Sequence, residues 1–445
     1  MVDAGRGLGV GIIGFGTIGT GVIRVLTEHA AEIEGKMGFP VRVVRVADLD
    51  TTTDRGVKLE PGVLIDDARA LINDPDVDVV VELIGGVEPA RTFLAEAIDV
   101  GKSVATANKA LLSEHGPSLA EAAQKRGVGI GFEASVGGGI PIVRVLREAL
   151  AGDRNAEVYG IVNGTANYIL TEMSTGSGDF ESVLARAQKL GLAEADPTYD
   201  VDGFDSQHKL VILVALAFGK RIDPAGVHVE GIRDISEVDI AYAREFGYTI
   251  KLLAVARETP DGVEARVHPS MVPNSHLLSQ VNGAFNAVCL RGGALGTSLY
   301  YGQGAGMMPT ATAVVADILD AARTLDRSDG AKPVFAHAYG VEVEKLVAAP
   351  VVAMGGTSHE HYIRIACTDR PGVLASISTI LAEHEISIAT VAQHERTDEG
   401  TVLVVMRTHR APEAAMAAAL ERIEKLDDLC AGPVVIRVEE MLGGE

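Results

Sequence analysis

Apolar runs long enough to cross a bilayer are missing from this chain, since none approaches the roughly 20 residues that a span requires. The start, MVDAGRGLGVGIIGFG, also lacks a basic region followed by a cleavable apolar segment. The expectation is a cytoplasmic protein with no membrane partner. Cysteine is scarce. Cys289, Cys367 and Cys430 are odd in number, widely separated and without metal-ligand spacing, so they read as small buried hydrophobes or as free thiols in a reducing compartment. Positive charge is short as well: 39 Lys and Arg stand against 61 Asp and Glu, for a net charge of -22. That balance disfavours nucleic acid and anionic surfaces as partners, and a small anionic ligand needs local positive sites. Internal repeats, low-complexity tracts and coiled-coil heptads do not stand out either.

What is present is material for cores. With 47% hydrophobic and 22% charged residues the chain is globular rather than disordered, and 445 residues suggest about three domains. Residues 9 to 48 read as strand VGII, turn GFGTIG, helix TGVIRVLTEHAAEIEG and strand VRVVRVAD. Continuous apolar strands alternating with helices predict a parallel sheet covered on both faces. The alternation continues through a short helix near Asp66 to Ile72, strand Asp78 to Ile84, helix Pro89 to Val100, strand Ser103 to Thr106, helix Ser118 to Arg126 and strand Gly129 to Glu133. From Gly138 it changes. A helix at Pro141 to Leu150, a strand at Glu157 to Val162, helices at 168–174, 180–190 and 206–218, and later strand-like runs predict a mixed sheet with helices on one face. Beyond a linker at Pro350 to Glu360, strand, helix, strand, strand, helix and strand follow in ferredoxin-like order.

Gly14-Phe15-Gly16-Thr17-Ile18-Gly19 follows a buried strand and opens a helix, the context in which GxGxxG binds a dinucleotide. Gly14 permits the tight turn, Gly16 lets backbone approach a pyrophosphate, and Gly19 lets helix and strand pack closely. Asp48 ends the second strand, where a carboxylate accepts from both ribose hydroxyls and repels a 2'-phosphate, which leans toward NAD. Thr106-Ala107-Asn108-Lys109 follows a strand end at the ligand-binding edge of an open parallel sheet. Glu133-Ala134-Ser135-Val136-Gly137-Gly138-Gly139-Ile140-Pro141 is a glycine-rich turn that by itself reads as a hinge between domains.

The densest chemistry lies in AQKLGLAEADPTYDVDGFDSQHK, residues 187–209. Glu194, Asp196, Asp200, Asp202 and Asp205 surround Lys209, and Gly191, Pro197 and Gly203 shape the loop. Lys209 opens the apolar run LVILVALAF, so its ammonium meets the edge of a core. A partly desolvated lysine paired with carboxylates exchanges protons usefully near neutral pH. His208 beside it reads as a packing histidine.

Ala187, Gly191, Asp196-Pro197, Gly203, Asp205 and Lys209 resemble the signature of homoserine dehydrogenases, and the resemblance covers the whole chain. It implies reduction of L-aspartate 4-semialdehyde to L-homoserine, in the route to threonine, methionine and isoleucine. Lys209 and Asp205 would handle the proton with Lys109 assisting, and Glu194, Asp200, Asp205 and Lys109 would bind substrate. Thr106, Lys109, Gly191, Gly304 and Gly306 would join the glycine turn and Asp48 around the cofactor. Family resemblance favours NADP, with Arg55 the nearest candidate for a 2'-phosphate, so NAD and NADP both stay open. It also implies sodium held by Glu133 and the carbonyls of Val136, Gly138 and Ile140. Asp369-Arg370-Pro371-Gly372 resembles the first turn of ACT-type regulatory domains, which implies an amino-acid effector, threonine foremost, near Asp369 and Gly372. A homodimer or homotetramer is implied too.

The resulting expectation is an α/β chain with a doubly wound Rossmann-type domain at 1–137, completed by a returning helix at 308–335. A catalytic and dimerisation α+β domain at 138–307, a helix and linker at 336–358 and a ferredoxin-like βαββαβ domain at 359–445 complete it. Two other readings compete: a non-catalytic sensor of NAD(P) and amino acids, and another NAD(P)-dependent semialdehyde dehydrogenase, for which only Cys289 could serve as nucleophile.

Overall fold

The computed structural model describes residues 6–327, 333–393 and 401–439. Its contacts divide the chain into two units, one built from residues up to 158 with 208–224 and 286–349, the other from 159–207, 225–285 and 350 onward.

In the first unit the apolar strands β1 (Leu8–Ile13), β2 (Val41–Ala47), β3 (Leu64–Ile65), β4 (Val79–Glu82), β5 (Ser103–Thr106) and β6 (Ile130–Gly131) form one sheet in the order β3-β2-β1-β4-β5-β6. Every pairing is parallel, and this is the doubly wound dinucleotide-binding order. Helix Thr17–Glu28 and the returning helix Met307–Arg327 cover β1, with Val22 and Leu26 packed in one core with Ala311, Val314 and Ile318. Their axes approach closely because residue 21 is glycine: a Cβ there would lie 2.8 Å from Met307 Cγ.

Several boundaries differ from those read in sequence. The helix expected from Ser118 begins at Lys109 and runs to Arg126 with Pro117 inside it. Proline costs an interior helix one hydrogen bond, but here Asn108 caps the start and Lys125 and Arg126 occupy the last turn. The strand expected through Glu133 stops at Gly131, and Glu133–Ser135 form a 3-10 turn. The helix expected over Pro141 to Leu150 is a short α-turn, Ile142–Arg144, followed by a π-turn, Val145–Ala149. The returning helix ends at Arg327 among the described residues; 333–335 are not helical, and 328–332 lie outside them.

In the second unit β7 (Tyr248–Thr259) and β8 (Gly262–Pro273) make a long antiparallel hairpin. The terminal segment contributes β9 (Ser358–Thr368), β10 (Ile388–Gln393), β11 (Thr401–Thr408) and β12 (Val434–Val438), with helices Val373–Glu383 and Glu413–Ile423. Residues 394–396, expected to extend the second of these strands, lie outside the described residues. Strand order β12-β9-β11-β10 with that helix placement is the ferredoxin-like arrangement. Its core gathers Ile363, Ile365, Ile377, Leu381, Val404, Met406, Met416 and Ile423.

β12 is shared. It pairs antiparallel with β9 and parallel with β8 through Ser270 and Met271, so the unit carries one continuous mixed sheet. Ion pairs line the seam: Arg437 meets Glu413 at 2.8 Å and Glu230 at 2.7 Å, and Glu439 meets Arg257 at 2.8 Å and Arg266 at 3.0 Å. Burying these charges is tolerable only because each has a partner.

Candidate active site

The turn after β1 is shaped to approach phosphate. Gly14 has φ +106° and its N–H donates to Ala47 O at 2.8 Å; at that backbone angle a side chain is strained. A Cβ on Gly19 would sit 2.1 Å from Gly14 O, whereas one on Gly16 would meet nothing within 4 Å. Gly16 caps helix Thr17–Glu28 without a side-chain hydrogen bond, which leaves the first-turn N–H groups and the positive helix end available to an anion. Phe15 is buried, Ile18 half-buried and Thr17 exposed.

Asp48 is half-buried and braced. Its Oδ2 accepts the Phe15 N–H at 2.6 Å and its Oδ1 the Asp50 N–H at 2.9 Å. Arg55 reaches Asp48 at 3.6 Å and Asp50 at 3.3 Å. A cavity of about 480 Å³ adjoins, lined by Asp48, Leu49, Asp66, Ile84, Gly85 and Phe93 among others. An open glycine turn, an uncapped helix start and a cavity beside the Asp48 carboxylate fit a dinucleotide.

At the carboxyl ends of β4 and β5 a buried network holds the residues just before Lys109. Glu82, fully buried, accepts N–H groups from Ile84 at 2.8 Å and Gly85 at 3.2 Å, and the Thr106 hydroxyl at 2.6 Å. The Asn108 N–H donates to Thr106 Oγ1, its amide nitrogen donates to Gly86 O at 2.5 Å, and its amide oxygen accepts from Leu111. Lys109 opens the helix, half-buried. Sequence reading missed Glu82, which looks like one more strand residue until its neighbours are known.

Glu133 does unexpected work. Its carboxylate oxygens accept the N–H groups of Val143 and Arg144, both at 2.9 Å, and so cap the short helix after the turn. Its own N–H donates to Asp317 at 2.8 Å. Burial, seconded by the Glu133 charge, pushes the Asp317 carboxyl up to about 7. Val136 and Ile140 are buried, and the Ile140 carbonyl accepts from Ile142 at 2.8 Å. Gly138 lies against Gly304, where a Cβ would stand 2.4 Å from the Gly304 carbonyl oxygen, so two segments singled out in sequence meet. Gly306, at φ +113°, precedes the returning helix. Beside Gly304 the fully buried Asn286 has neither amide atom hydrogen-bonded. Among the described residues no group of three or more His, Cys, Asp or Glu could hold a metal ion; a carbonyl-lined cation site is of another kind. Cys289 is buried, and burial followed by the Glu157 charge pushes its thiol up to about 11. It is protonated at neutral pH and unsuited to nucleophilic attack.

The acids of the 187–209 segment separate into distinct jobs. Within the second unit Asp196 caps the turn at Thr198, and Asp202 pairs with Arg233 at 2.5 Å near the surface. Glu194 is exposed, and Gly191, also exposed, has φ +72°. Asp200, in the short helix Thr198–Val201, and buried Asp205, in the first turn of helix Phe204–Phe218, are drawn together by Asn163, whose side-chain nitrogen donates to Asp200 at 2.7 Å and to Asp205 at 2.9 Å. The helix start also favours the Asp205 anion. Lys209 follows one turn later on that helix and is only 8% exposed.

In the ferredoxin-like segment a cavity of about 300 Å³ is lined by Thr368, Asp369, Arg370, Gly372, Leu374 and Gln393 among others. Gly372 begins helix Val373–Glu383, and Arg370 pairs with Asp428 at 2.7 Å.

Comparison with known proteins gives three family matches: "Homoserine dehydrogenase, NAD binding domain" over residues 14–133, "Homoserine dehydrogenase" over 141–319 and "ACT domain" over 361–428. A homoserine dehydrogenase of Pseudomonas aeruginosa is 42% identical over 434 residues, covering 97% of this chain and 99% of that one. The crystal structure of a homoserine dehydrogenase from Thiobacillus denitrificans superposes with a TM-score of 0.90 at 43% identity, covering 97% of this chain and 98% of that one. A hyperthermophilic archaeal homoserine dehydrogenase in complex with NADPH matches at a TM-score of 0.61 and 26% identity, over 71% of this chain and 97% of that one.

Proposed function

This chain belongs to the homoserine dehydrogenase family, and on that premise we propose how its residues divide the work. The reaction is the nicotinamide-dependent reduction of L-aspartate 4-semialdehyde to L-homoserine, an oxidoreductase step of amino-acid biosynthesis. The nicotinamide, when bound, supplies hydride to the aldehyde carbon. Lys209 delivers a proton to the carbonyl oxygen, so that no free alkoxide forms. Asp205 orients that lysine, and Lys109, fixed by the Glu82–Thr106–Asn108 network, balances developing negative charge. Asp200, Asp205 and Glu194 anchor the substrate ammonium. Positioning of this kind supplies most of the rate.

The observation that carries this division is the placement of Lys209, buried and one helical turn after Asp205, on a helix otherwise apolar from Leu210 onward. Thr106, Gly191, Gly304 and Gly306 complete the cofactor contacts in this reading. A monovalent cation such as sodium would take the carbonyls of Val136, Gly138 and Ile140 while the Glu133 carboxylate stays committed to its helix cap. The cofactor choice turns on Arg55: the NADPH-bound archaeal relative favours NADPH, whereas Asp48 and Asp50 around Arg55 favour NADH.

The ACT domain brings binding of an amino-acid effector. We assign threonine as that effector, bound by Asp369 and Gly372, and a homodimer or homotetramer in the cytoplasm as the working form. No helix among the described residues is long and apolar enough to cross a membrane. Following nicotinamide absorbance with aspartate semialdehyde, with NADH and NADPH in turn and with and without threonine, tests the set. Semialdehyde-dependent oxidation inhibited by threonine is the expected result; oxidation indifferent to threonine would remove the effector assignment.

A further inference from the structure

Asn286 is fully buried, and neither its side-chain oxygen nor its side-chain nitrogen has a hydrogen-bond partner. No other buried amide side chain among the described residues has both atoms in that condition. Water serves both atoms in the unfolded chain, so burying them unmatched costs free energy that most native amides avoid. A group kept on such terms points to a state of the protein in which its donor and acceptor are used.

Its surroundings narrow that state. Asn286 is the second residue of strand Phe285–Gly292, which neighbours strand Gly296–Gln303 in the sheet. The amide packs against Gly304, just past the end of the second strand: a Cβ on Gly304 would fall 2.0 Å from Asn286 Cγ, 2.1 Å from Nδ2 and 2.3 Å from Oδ1. It fills the place that a side chain at 304 would need. From Gly304 the chain turns through Gly306, at φ +113°, into helix Met307–Arg327. This turn also meets the glycine turn at 137–139, since the Gly139 N–H donates to Gln303 O at 2.9 Å and a Cβ on Gly138 would stand 2.4 Å from Gly304 O. A backbone segment offers what the amide lacks, an N–H for its oxygen and a carbonyl for its nitrogen.

We propose that Asn286 is a positioning residue for the bound cofactor. When the dinucleotide binds, the Gly304–Gly306 turn settles onto the Asn286 amide, which accepts from a backbone N–H and donates to a backbone carbonyl and so holds the turn against the cofactor. The proposal rests on the reading of Gly304 and Gly306 as cofactor contacts. Asn286 itself lies against the turn and need not touch the cofactor. The free enzyme thus carries an unmatched amide whose cost is relieved on binding. Removing the amide then has opposite effects on two quantities: the free fold gains or keeps stability, and the cofactor is held more weakly. A residue of purely structural value would not separate them.

Asn286→Leu is the direct test, because leucine keeps the branched shape and removes both polar atoms. Three quantities are measured in wild type and variant: the melting temperature of the free enzyme, the Kd for NADH and for NADPH by fluorescence titration, and backbone amide exchange over residues 303–306. The free variant should melt at or above the wild-type temperature, since an apolar group replaces an unmatched polar one. Its Kd for the cofactor that wild type prefers should rise about ten-fold, corresponding to one or two hydrogen bonds, and the rise in melting temperature on adding that cofactor should shrink. Cofactor should slow exchange at 303–306 in wild type, and the variant should lose that slowing. A variant that melts lower and binds cofactor as wild type does would make Asn286 a structural amide satisfied within the free fold, and would overturn the proposal. If leucine prevents folding, Asn286→Ala decides by the same Kd and exchange measurements, unchanged values overturning the proposal. The exchange data also separate the two layers. If saturating cofactor leaves exchange at 303–306 of wild type untouched, the cofactor-contact reading of Gly304 and Gly306 fails and takes the proposal with it; if the slowing appears in wild type and persists in the variant at unchanged Kd, only the proposal fails.

Discussion

Arg55 holds its guanidinium 4.7 Å from the centre of the Phe15 ring, over the residue that follows the first glycine of the nucleotide turn. The same group lies 3.6 Å from Asp48 and 3.3 Å from Asp50. A cation tied to two carboxylates and an aromatic face is available to a 2'-phosphate only by exchanging partners, whereas a free ribose hydroxyl can use Asp48 as it stands. Arg55→Ala is therefore predicted to raise KM for NADPH about ten-fold, the worth of one charge-assisted hydrogen bond, and to leave KM for NADH nearly unchanged. Steady-state kinetics with both cofactors checks this. An equal loss for the two would mean that Arg55 only braces the loop.

Asp317 gives the fold a pH dependence of definite sign. Its carboxyl is raised from 3.8 to about 7 by burial and by the Glu133 charge. The folded state thus keeps a proton that the unfolded chain has lost, so this group makes stability decline as pH climbs from about 4 to about 7 and levels off above. Asp317→Asn retains an acceptor for the Glu133 N–H and removes the titration. Its stability relative to wild type is predicted to be greater at pH 8 than at pH 5, as read from urea midpoints. A difference independent of pH would show that Asp317 is not the titrating group.

Arg437 joins the terminal domain to the catalytic sheet by charge as well as by strand pairing. It serves both Glu413, which is buried, and Glu230. The backbone just beyond Glu230 reaches the acidic loop, since the Ile232 N–H donates to Val201 O at 2.8 Å and Arg233 pairs with Asp202. Arg437→Met takes the guanidinium from the buried Glu413 carboxylate, which keeps His361 at 2.8 Å, and breaking such a buried pair should cost up to about 3–5 kcal/mol, seen as a lower melting temperature. In the enzyme that remains folded, inhibition by threonine should weaken while turnover without threonine persists. Unaltered inhibition would place the coupling elsewhere.

Much of this architecture is legible from local residues. The glycine turn is one case: the positive φ of Gly14 and the contact of Gly19 with Gly14 are demands that a few neighbouring residues impose on each other. The strand–helix alternation that predicts the parallel sheet, and the ferredoxin-like order after residue 358, are also written in short-range periodicity. The helix expected from Ser118 to Arg126 misleads for the opposite reason. It begins at Lys109 and runs through Pro117. Contacts distant in sequence are not legible at all. Asn163 lies about forty residues before the acids it clamps, Glu82 about twenty-four before Thr106, and the β8–β12 pairing joins Ser270 to Arg437. Glu133 shows the remaining limit: only family resemblance implies an ion at this turn, and nothing in the local sequence announces that the carboxylate oxygens accept from the next helix.

In the proposed division of roles Lys209 delivers the proton in homoserine formation. Turnover of aspartate semialdehyde by Lys209→Ala, measured beside its affinity for NAD(P)H, decides this. A fall in kcat of about 10²- to 10⁴-fold is expected, the usual contribution of a general acid, with cofactor affinity retained. Near-normal turnover in that variant would remove Lys209 as the proton donor.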